Sequence, residues 1–365
     1  MNRLVLSSIA LYCLAITACS KSSDSGTSTA TFAQTESDVI NQFVSKTALP
    51  QYDNLVTAGT SLDANIQILN TTTTDANLQA AQTSWRTMRQ TWERCEGFLI
   101  GPVESGDYDP NSDTWPTDYK QMDSLLASNN PLGFTDIQNL PQTLRGYHPI
   151  EYLIFGEGGS RKASELDDRK KKYLTSLSAD LKNIVTELYD DWTGGSVNYA
   201  VQILNISSSN PVYPTRQSFF LDIAGDNGMA GICNEVGQPN EDGKMYNPYI
   251  KPDSTLAESP YSGNSLTDFK NNIIGAQQVY LGLNGGKGVK DLVAAKNKDL
   301  DNKIQAAFTS AISSFDNISG SDNMRFEVAI YKRRTQVATT MTQLNTLQAL
   351  LENDLITFIK TYVKD

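Results

Sequence analysis

His148 is the only histidine in the chain and lies in the run Gly146-Tyr147-His148-Pro149-Ile150-Glu151. Any chemistry that needs an imidazole must therefore use this residue. Residues at i and i+3 share one face of a helix, so His148 and Glu151 could hold a metal ion or a proton between them. This pair is the strongest indication of function in the sequence.

The same run also has a purely structural interpretation. Pro149 would be the first residue of a helix, and Glu151 would cap the backbone donors at its start. Because the residue before a proline disfavours helical backbone, His148 would then lie just outside that helix. Both interpretations, a ligand site and a helix start, are compatible with the sequence.

A metal ion at His148 would take its remaining ligands from carboxylates, because the chain has no second histidine. Zinc sites built from two or three histidines are therefore excluded. One imidazole with several carboxylates favours iron or another oxygen-preferring divalent metal. The carboxylates that could contribute are Glu96, Glu258 and Asp268.

One segment carries alternating oxygen-bearing side chains, as an EF-hand calcium loop does: Asp107, Asp109, Asn111 and Asp113, with Asp118 further on. Ser112 stands where that loop needs glycine, and Pro110 interrupts it. We therefore predict a solvated acidic turn here, not a calcium site.

The N-terminal residues are typical of an export signal, with an apolar run from Leu4 to Ile16 that is too short to span a membrane. The order Ile16-Thr17-Ala18-Cys19 resembles the lipobox of bacterial lipoproteins. We predict a signal peptide over residues 1–18 and Cys19 as a lipidated N-terminus; ordinary cleavage with Cys19 unmodified is the alternative. Residues 19–35, rich in Ser, Thr and Gly, are predicted to form a flexible tether.

The amino-acid composition limits the classes of partner that this chain could bind. Asp and Glu number 41 against 30 Lys and Arg, which gives a net charge of −11. This balance argues against nucleic acid, whose binding depends on neutralising phosphates, and favours cationic ligands. Of four cysteines, Cys95 and Cys233 lie outside the N-terminal segment. They could pair or stay separate buried thiols, and we do not predict a disulfide.

Prolines divide the chain, with six of the thirteen in residues 102–149 and six in residues 211–260. The proline-free stretches show apolar spacings of three and four, which predict amphipathic helices. The stripe of Trp85, Met88 and Trp92 is predicted to be core. In the last stretch, Ser265 with Asp268 marks a capped helix start and Gly282 a stop.

No run of strand alternation separates these segments, so the fold is predicted to be all-α. The chain exceeds the usual size of a single core, which favours two helical domains, over residues 36–195 and 196–365. The proline-rich segments would then be loops that build a site, or helices that the pattern conceals.

The sequence also resembles a known protein family. The run from Gly146 to Gly156 resembles the GxHxxE signature of the imelysin-like lipoproteins. Supporting runs occur in the family's order, from about Asp38 to the C-terminus: Trp85, Trp92 and Glu96-Gly97-Phe98; Trp115-Pro116; Glu258-Ser259-Pro260-Tyr261-Ser262 with Asp268; and Tyr280-Leu281-Gly282. This chain differs from the family signature in having Pro149 where a small residue such as alanine is expected. This difference puts the local helix geometry in question.

The resemblance implies two similar four-helix bundles with a functional site at their interface. It also implies an exported protein of iron acquisition, in a family historically labelled metallopeptidases. His148 and Glu151 would be metal ligands with Glu96 beside them. Glu258, Ser262 and Asp268 would line the ligand site.

The leading hypothesis is a lipid-anchored protein that binds iron, or an iron-bearing small ligand, for uptake in an interdomain cleft. It would sit at the outer membrane, facing the periplasm or the cell surface, and would touch the membrane only through its anchor. Envelope iron-transport proteins would be its partners. The alternatives are a metallopeptidase that uses the same HxxE pair, and a scaffold lipoprotein in which the pair only caps a helix.

Overall fold

Helices make up the regular structure of residues 31–195, 197–240 and 242–364, the part of the chain that this computed structural model describes, and no strand occurs there. The all-α prediction is confirmed. The predicted signal peptide, Cys19 and most of the tether lie outside the described residues. The first helix begins at Phe32, so the end of the predicted tether, residues 32–35, is helical. Phe32 packs under Lys296, whose Nζ lies 4.9 Å from the ring centroid, and Thr35 is buried.

The α-helices of the described residues are, in chain order, α1 Phe32–Gln42, α2 Leu49–Thr71, α3 Asp75–Cys95, α4 Pro102–Ser105, α5 Tyr108–Asp113, α6 Tyr119–Ala127, α7 Phe134–Gln138, α8 Tyr147–Phe155, α9 Asp168–Thr193, α10 Tyr199–Leu204, α11 Arg216–Ala224, α12 Met229–Gly237, α13 Tyr246–Ile250, α14 Ser265–Leu281, α15 Val289–Lys296, α16 Lys298–Ser319, α17 Phe326–Lys332, α18 Arg334–Ala349 and α19 Ile356–Tyr362. Two π-helical segments, Phe43–Ala48 and Leu350–Leu355, join α1 to α2 and α18 to α19. Short 3₁₀ turns occupy Glu96–Phe98, Gln142–Leu144, Glu157–Gly159, Ala163–Glu165 and Ser254–Leu256.

The long helices pack in two groups. Helix α2 packs against α3 and α9, while α12, α14, α16 and α18 pack against one another, and α3 meets α14. Residues 32–365 belong to one compact unit, and the predicted division into two four-helix bundles at residue 195 stays a prediction. Among the described helices, none is both long enough and apolar enough to cross a bilayer.

The predicted core stripe is confirmed. Trp85, Met88 and Trp92 are completely buried, and the Trp85 ring meets Phe155 edge to face at 5.4 Å between centroids. Cys95 and Cys233 are buried free thiols, as expected without a disulfide.

The proline-rich segments consist largely of short helices, which the sequence pattern concealed. Pro110, Pro149 and Pro248 each stand third in their helix, α5, α8 and α13, and Pro102 is the first residue of α4. The first four N–H groups of a helix have no helical acceptor, so proline is tolerated at these positions. These prolines therefore lie in the first turns of helices and not in loops.

Two glycines let α3 and α14 approach closely enough to build a site. A Cβ at Gly97 would lie 2.4 Å from the carbonyl carbon of Gly275, and one at Gly275 would lie 2.2 Å from the oxygen of Arg94. No side chain fits at either position, because both contacts are with backbone. The crossing brings Glu96 against Asn272 of α14.

Candidate functional site

Helix α8 presents His148 and Glu151. It begins at Tyr147, after Gly146 adopts a φ of 81°, a region that favours glycine. A Cβ at Gly146 would also lie 1.9 Å from the oxygen of Ser112. His148 is therefore inside the helix, and the prediction that it lies just outside is wrong. Pro149 fits because its missing N–H belongs to the unpaired first turn.

The imidazole of His148 lies between two carboxylates. Its Nε2 is 3.1 Å from Oδ1 of Asp113, and its Nδ1 is 3.5 Å from Oε2 of Glu151. The ring is fully buried, and the ring of Trp115 lies 4.8 Å away between centroids. Burial acts to lower the pKa of His148, but Asp113 and Glu151 outweigh it, so the pKa is raised above its ordinary value.

Glu151 reaches across to the segment ahead of α14. Its Oε1 accepts a hydrogen bond of 2.7 Å from the backbone N–H of Ser262. No described side chain caps the start of α8, so the interpretation of Glu151 as a helix cap is wrong. Ser262 thus meets the predicted pair through its backbone, while its hydroxyl donates to the carbonyl of Ser259 at 3.4 Å.

The centre of the site is Arg89 of α3, which was not predicted from the sequence. The guanidinium is fully buried and forms ion pairs with Glu93 at 2.6 Å, with Glu258 at 2.8 Å and with Asp113. A fourth carboxylate, Asp268, lies 4.0 Å from Nε. An arginine between Trp85 and Trp92, at helical spacing from both, is the signal that could have revealed it.

Asp113 ends helix α5 and its side chain is only 3% exposed, so the solvated acidic turn predicted there is wrong for this residue. Its carboxylate meets Arg89 and His148 and accepts a 2.8 Å hydrogen bond from Nε1 of Trp92. Burial is outweighed by Arg89 and His148, which hold the pKa of Asp113 well below its ordinary value. Asp109 lies one turn earlier on the same helix face, a spacing visible in the sequence.

Lys244 lies on the solvent side of the cluster and was also missed. Its Nζ is 2.9 Å from Oε1 of Glu258, 2.9 Å from Glu235 and 3.7 Å from Glu96. The Lys244 side chain is 17% exposed and that of Glu235 43%, whereas that of Glu258 is 3% exposed. Solvent therefore meets the cluster at Glu235 and Lys244.

Glu96 and Glu93 share a donor from α14. Asn272 donates from Nδ2 to a carboxylate oxygen of each. Burial, together with the charge of Glu93, raises the pKa of Glu96. Burial also raises the pKa of Glu93 to about 8, although Arg89 acts in the opposite direction.

Asp268 faces the cluster instead of capping its own helix. It accepts hydrogen bonds of 2.6 Å from Ser259 and 2.5 Å from Asn264. Helix α14 begins at Ser265 and ends before Gly282 as predicted, but Asn264, not Ser265, holds the N-cap position. Burial raises the pKa of Asp268 to about 7, against the effect of Arg89.

Negative groups outnumber positive ones here. Two basic side chains, Arg89 and Lys244, form ion pairs with this cluster, and its carboxylates are Glu93, Glu96, Asp109, Asp113, Glu151, Glu258 and Asp268. Burial and Asp113 raise the pKa of Asp109 to about 7. So much buried negative charge must be neutralised by protons or by a further cation.

Two sets of three side chains could each hold a metal ion, with ligand atoms within 4.8 Å of one another. One set is Asp113, His148 and Glu258; the other is Glu96, Asp109 and Asp113. Within the described part of the chain, Glu151 belongs to neither set. All six predicted site residues nevertheless lie in one contact network, through Arg89, Asp113 and Lys244.

Several buried polar atoms in this network lack a hydrogen-bond partner of suitable geometry among the described residues: both ring nitrogens of His148, Oε2 of Glu151 and Oε2 of Glu258. Orphaned buried polar atoms are costly, and a bound water or ion would satisfy them. One imidazole with carboxylates suits iron or a similar divalent ion.

The imelysin (peptidase M75) family model matches residues 48–351. The chain is similar to iron-regulated protein A of Synechococcus elongatus, with 29% identity over 255 residues. That match covers 68% of this chain and 66% of the relative, so it spans just under two thirds of the relative's length.

Two crystal structures have a similar fold. One is described as an iron-regulated protein A precursor from Parabacteroides distasonis; it has a TM-score of 0.76 and 24% identity and covers 89% of this chain and 97% of that one. The other is an imelysin-like protein from Psychrobacter arcticum, with a TM-score of 0.71 and 13% identity, covering 92% of this chain and 99% of that one.

Proposed function

Because this chain belongs to the imelysin family, and its iron-regulated relative supports an iron-related role, we propose that it binds iron through His148, Asp113 and Glu258. The observation that carries the proposal is the buried imidazole whose Nε2 faces Asp113, in a set that Glu258 completes within 4.8 Å. Another divalent metal, or an iron-bearing small ligand, would use the same donors.

The donor atoms fit an ion by chemistry and by charge. Nε2 of His148 and Oε2 of Glu258 are buried without a hydrogen-bond partner of suitable geometry among the described residues. The excess of carboxylates also means that a bound cation would replace protons that the metal-free cluster must otherwise hold. Ion binding would therefore release protons and would weaken in acid.

Glu151 has a different part in this proposal from the one the sequence suggested. It faces Nδ1 of His148, whereas Asp113 faces Nε2. A carboxylate on the second ring nitrogen fixes the tautomer and orientation of a histidine that binds metal through the first. Glu151, held in turn by Ser262, would orient His148 instead of binding the ion.

The buried position favours binding over proteolysis. A metallopeptidase must bring a peptide bond beside its ion, yet His148 and Glu151 are fully buried and the side chains of Asp113 and Glu258 are 3% exposed. A single ion needs far less room and could enter beside Lys244.

Calorimetry with ferrous ion under anaerobic conditions tests the proposal. We expect His148→Ala to weaken binding by about 100-fold or more, and Glu151→Gln by about 10- to 100-fold, as a lost orienting partner does. Glu165→Gln, an exposed glutamate on another segment, is the matched control and should bind like the natural chain. Equal affinity of the natural chain and His148→Ala would remove the site.

Export and anchoring complete the proposal. The lipobox-like run ending at Cys19 supports a lipid anchor at the outer membrane, facing the periplasm or the cell surface, where envelope iron-transport proteins would take up the ion. Palmitate labelling of the natural chain and of Cys19→Ser tests the anchor. Equal labelling of the two would exclude Cys19 as the lipidated residue.

A further inference from the structure

The two basic side chains of the cluster differ in how they are held. Arg89 is fully buried among four carboxylates, whereas the Lys244 side chain is 17% exposed and stands beside the half-exposed Glu235. Lysine carries its charge on a flexible stem, so its ammonium can change partners without moving the backbone. Lys244 is therefore the mobile cation of the pair.

The ammonium of Lys244 lies against oxygens that an ion would use. It is 2.9 Å from Glu258, a member of the first set of donors, and 3.7 Å from Glu96, a member of the second. Arg89 and Lys244 already share Oε1 of Glu258, at 2.8 and 2.9 Å. A divalent ion at this carboxylate would be a third cation there, and its repulsion would act on the ammonium, because the guanidinium is also held by Glu93 and Asp113. An ion at Glu258 would therefore displace the ammonium.

The surroundings of Lys244 give the ammonium a place to go. Glu235 already contacts it at 2.9 Å from the solvent side. The backbone here is fixed, because the N–H groups of Lys244 and Met245 donate to the carbonyls of Glu235 and Val236 at 3.0 and 3.2 Å. The displacement therefore needs only a change of side-chain rotamer.

We propose that Lys244 is a tethered cation that holds the entrance of the site until an iron ion enters, and that its ammonium then moves from Glu258 to Glu235. The inference rests on the proposed iron binding. It makes Lys244 a positioning residue that sets the affinity and the entry rate of the ion, while His148, Asp113 and Glu258 bind it.

The test uses ferrous ion with the full chain, by calorimetry for affinity and stopped flow for the association rate. We expect Lys244→Met to raise both by about tenfold, because the ion no longer competes with a charge in contact with Glu258. Lys244→Arg, which keeps the charge, should restore values within about twofold of the natural chain. Lys251→Met makes the same charge change at an exposed residue and should have little effect.

Failure of this inference can be told apart from failure of the proposed function. Unchanged or weaker binding in Lys244→Met, with binding still lost in His148→Ala, would overturn the role of Lys244 and leave the iron site intact. Unchanged binding in His148→Ala would overturn the site itself. If Lys244→Met does not fold, Lys244→Gln, which can still donate to Glu258, is held to the same expected gain.

Discussion

Two buried charged clusters of this protein differ in their balance. Arg145 meets Asp180 through two nitrogens at 2.9 and 3.0 Å and donates further to Asn111 and the carbonyl of Gln138. In this pair, the charge of one guanidinium neutralises the charge of one carboxylate. Arg89 instead faces four carboxylates in a network that has orphaned atoms. The balanced pair secures α9 to the turn before α8, and the unbalanced network is able to take up another cation.

The largest expected effect is the loss of Arg89. Arg89→Met should lower the free energy of unfolding by about 5 kcal/mol, because several buried carboxylates lose their counter-charge, whereas Arg145→Met should cost about 3 kcal/mol. Urea denaturation of the metal-free proteins measures both. Equal losses in the two variants would remove the distinction between the clusters.

A second substitution in each of these two variants tests the difference between the clusters further. Replacing Asp180 by leucine in the Arg145→Met variant should recover most of the lost stability, because no buried charge is then left unpaired. Replacing Asp113 by asparagine in the Arg89→Met variant should recover only part of it. Full recovery there would mean that Asp113 is the only acid that depends on Arg89.

Iron should stabilise the protein through the unbalanced cluster alone. At about 100 times its dissociation constant, the ion should raise the free energy of unfolding by about 2.7 kcal/mol. The rise should vanish in His148→Ala and persist in Arg145→Met. Thermal melts with and without ferrous ion measure it, and a rise that survives in His148→Ala would locate the ion elsewhere.

Stability without metal should fall as the pH rises from about 5.5 to about 8, by at least about 2 kcal/mol, the amount that a single carboxyl with a pKa of about 7 loses over that range. Burial raises the pKa of Glu93 to about 8 and those of Asp109 and Asp268 to about 7. The folded state thus holds protons that the unfolded state has lost, and deprotonation favours unfolding. The raised pKa of His148 acts in the same direction. The lowered pKa of Asp113 matters only below its ordinary value of 3.8, outside this range.

Urea denaturation in the presence of a chelator, at the two ends of that range, checks the prediction. Saturating iron should flatten the pH dependence, because the ion replaces the protons. Stability that rises with pH in the metal-free protein would contradict the raised pKa values.

The smallest effect is expected at an exposed ion pair. Lys270 and Asp316 are 2.6 Å apart, with side chains 30% and 67% exposed. Asp316→Asn should change the free energy of unfolding by less than about 0.5 kcal/mol, because water already screens both charges. A loss comparable to that of Arg145→Met would show that burial is not what separates these pairs.

Much of the site could be predicted because its residues stand in recognisable runs. His148, Glu151, Glu96, Glu258, Ser262 and Asp268 were named from the sequence, and all lie in one network. Arg89, Asp113 and Lys244, which join them, were missed. Arg89 stands on an aromatic helix face, Asp113 in a segment that looks solvated, and Lys244 in no motif.

Apolar periodicity and the absence of strand alternation were enough to predict helices, because a helix must bury a stripe at spacings of three and four. A solitary histidine likewise restricted the metal chemistry to carboxylate partners. Which carboxylate faces which ring nitrogen depended on long-range packing, since the Gly97–Gly275 crossing and the start of α8 at Gly146 set those directions. Local pattern carries no information about such contacts, because they join residues far apart in the chain.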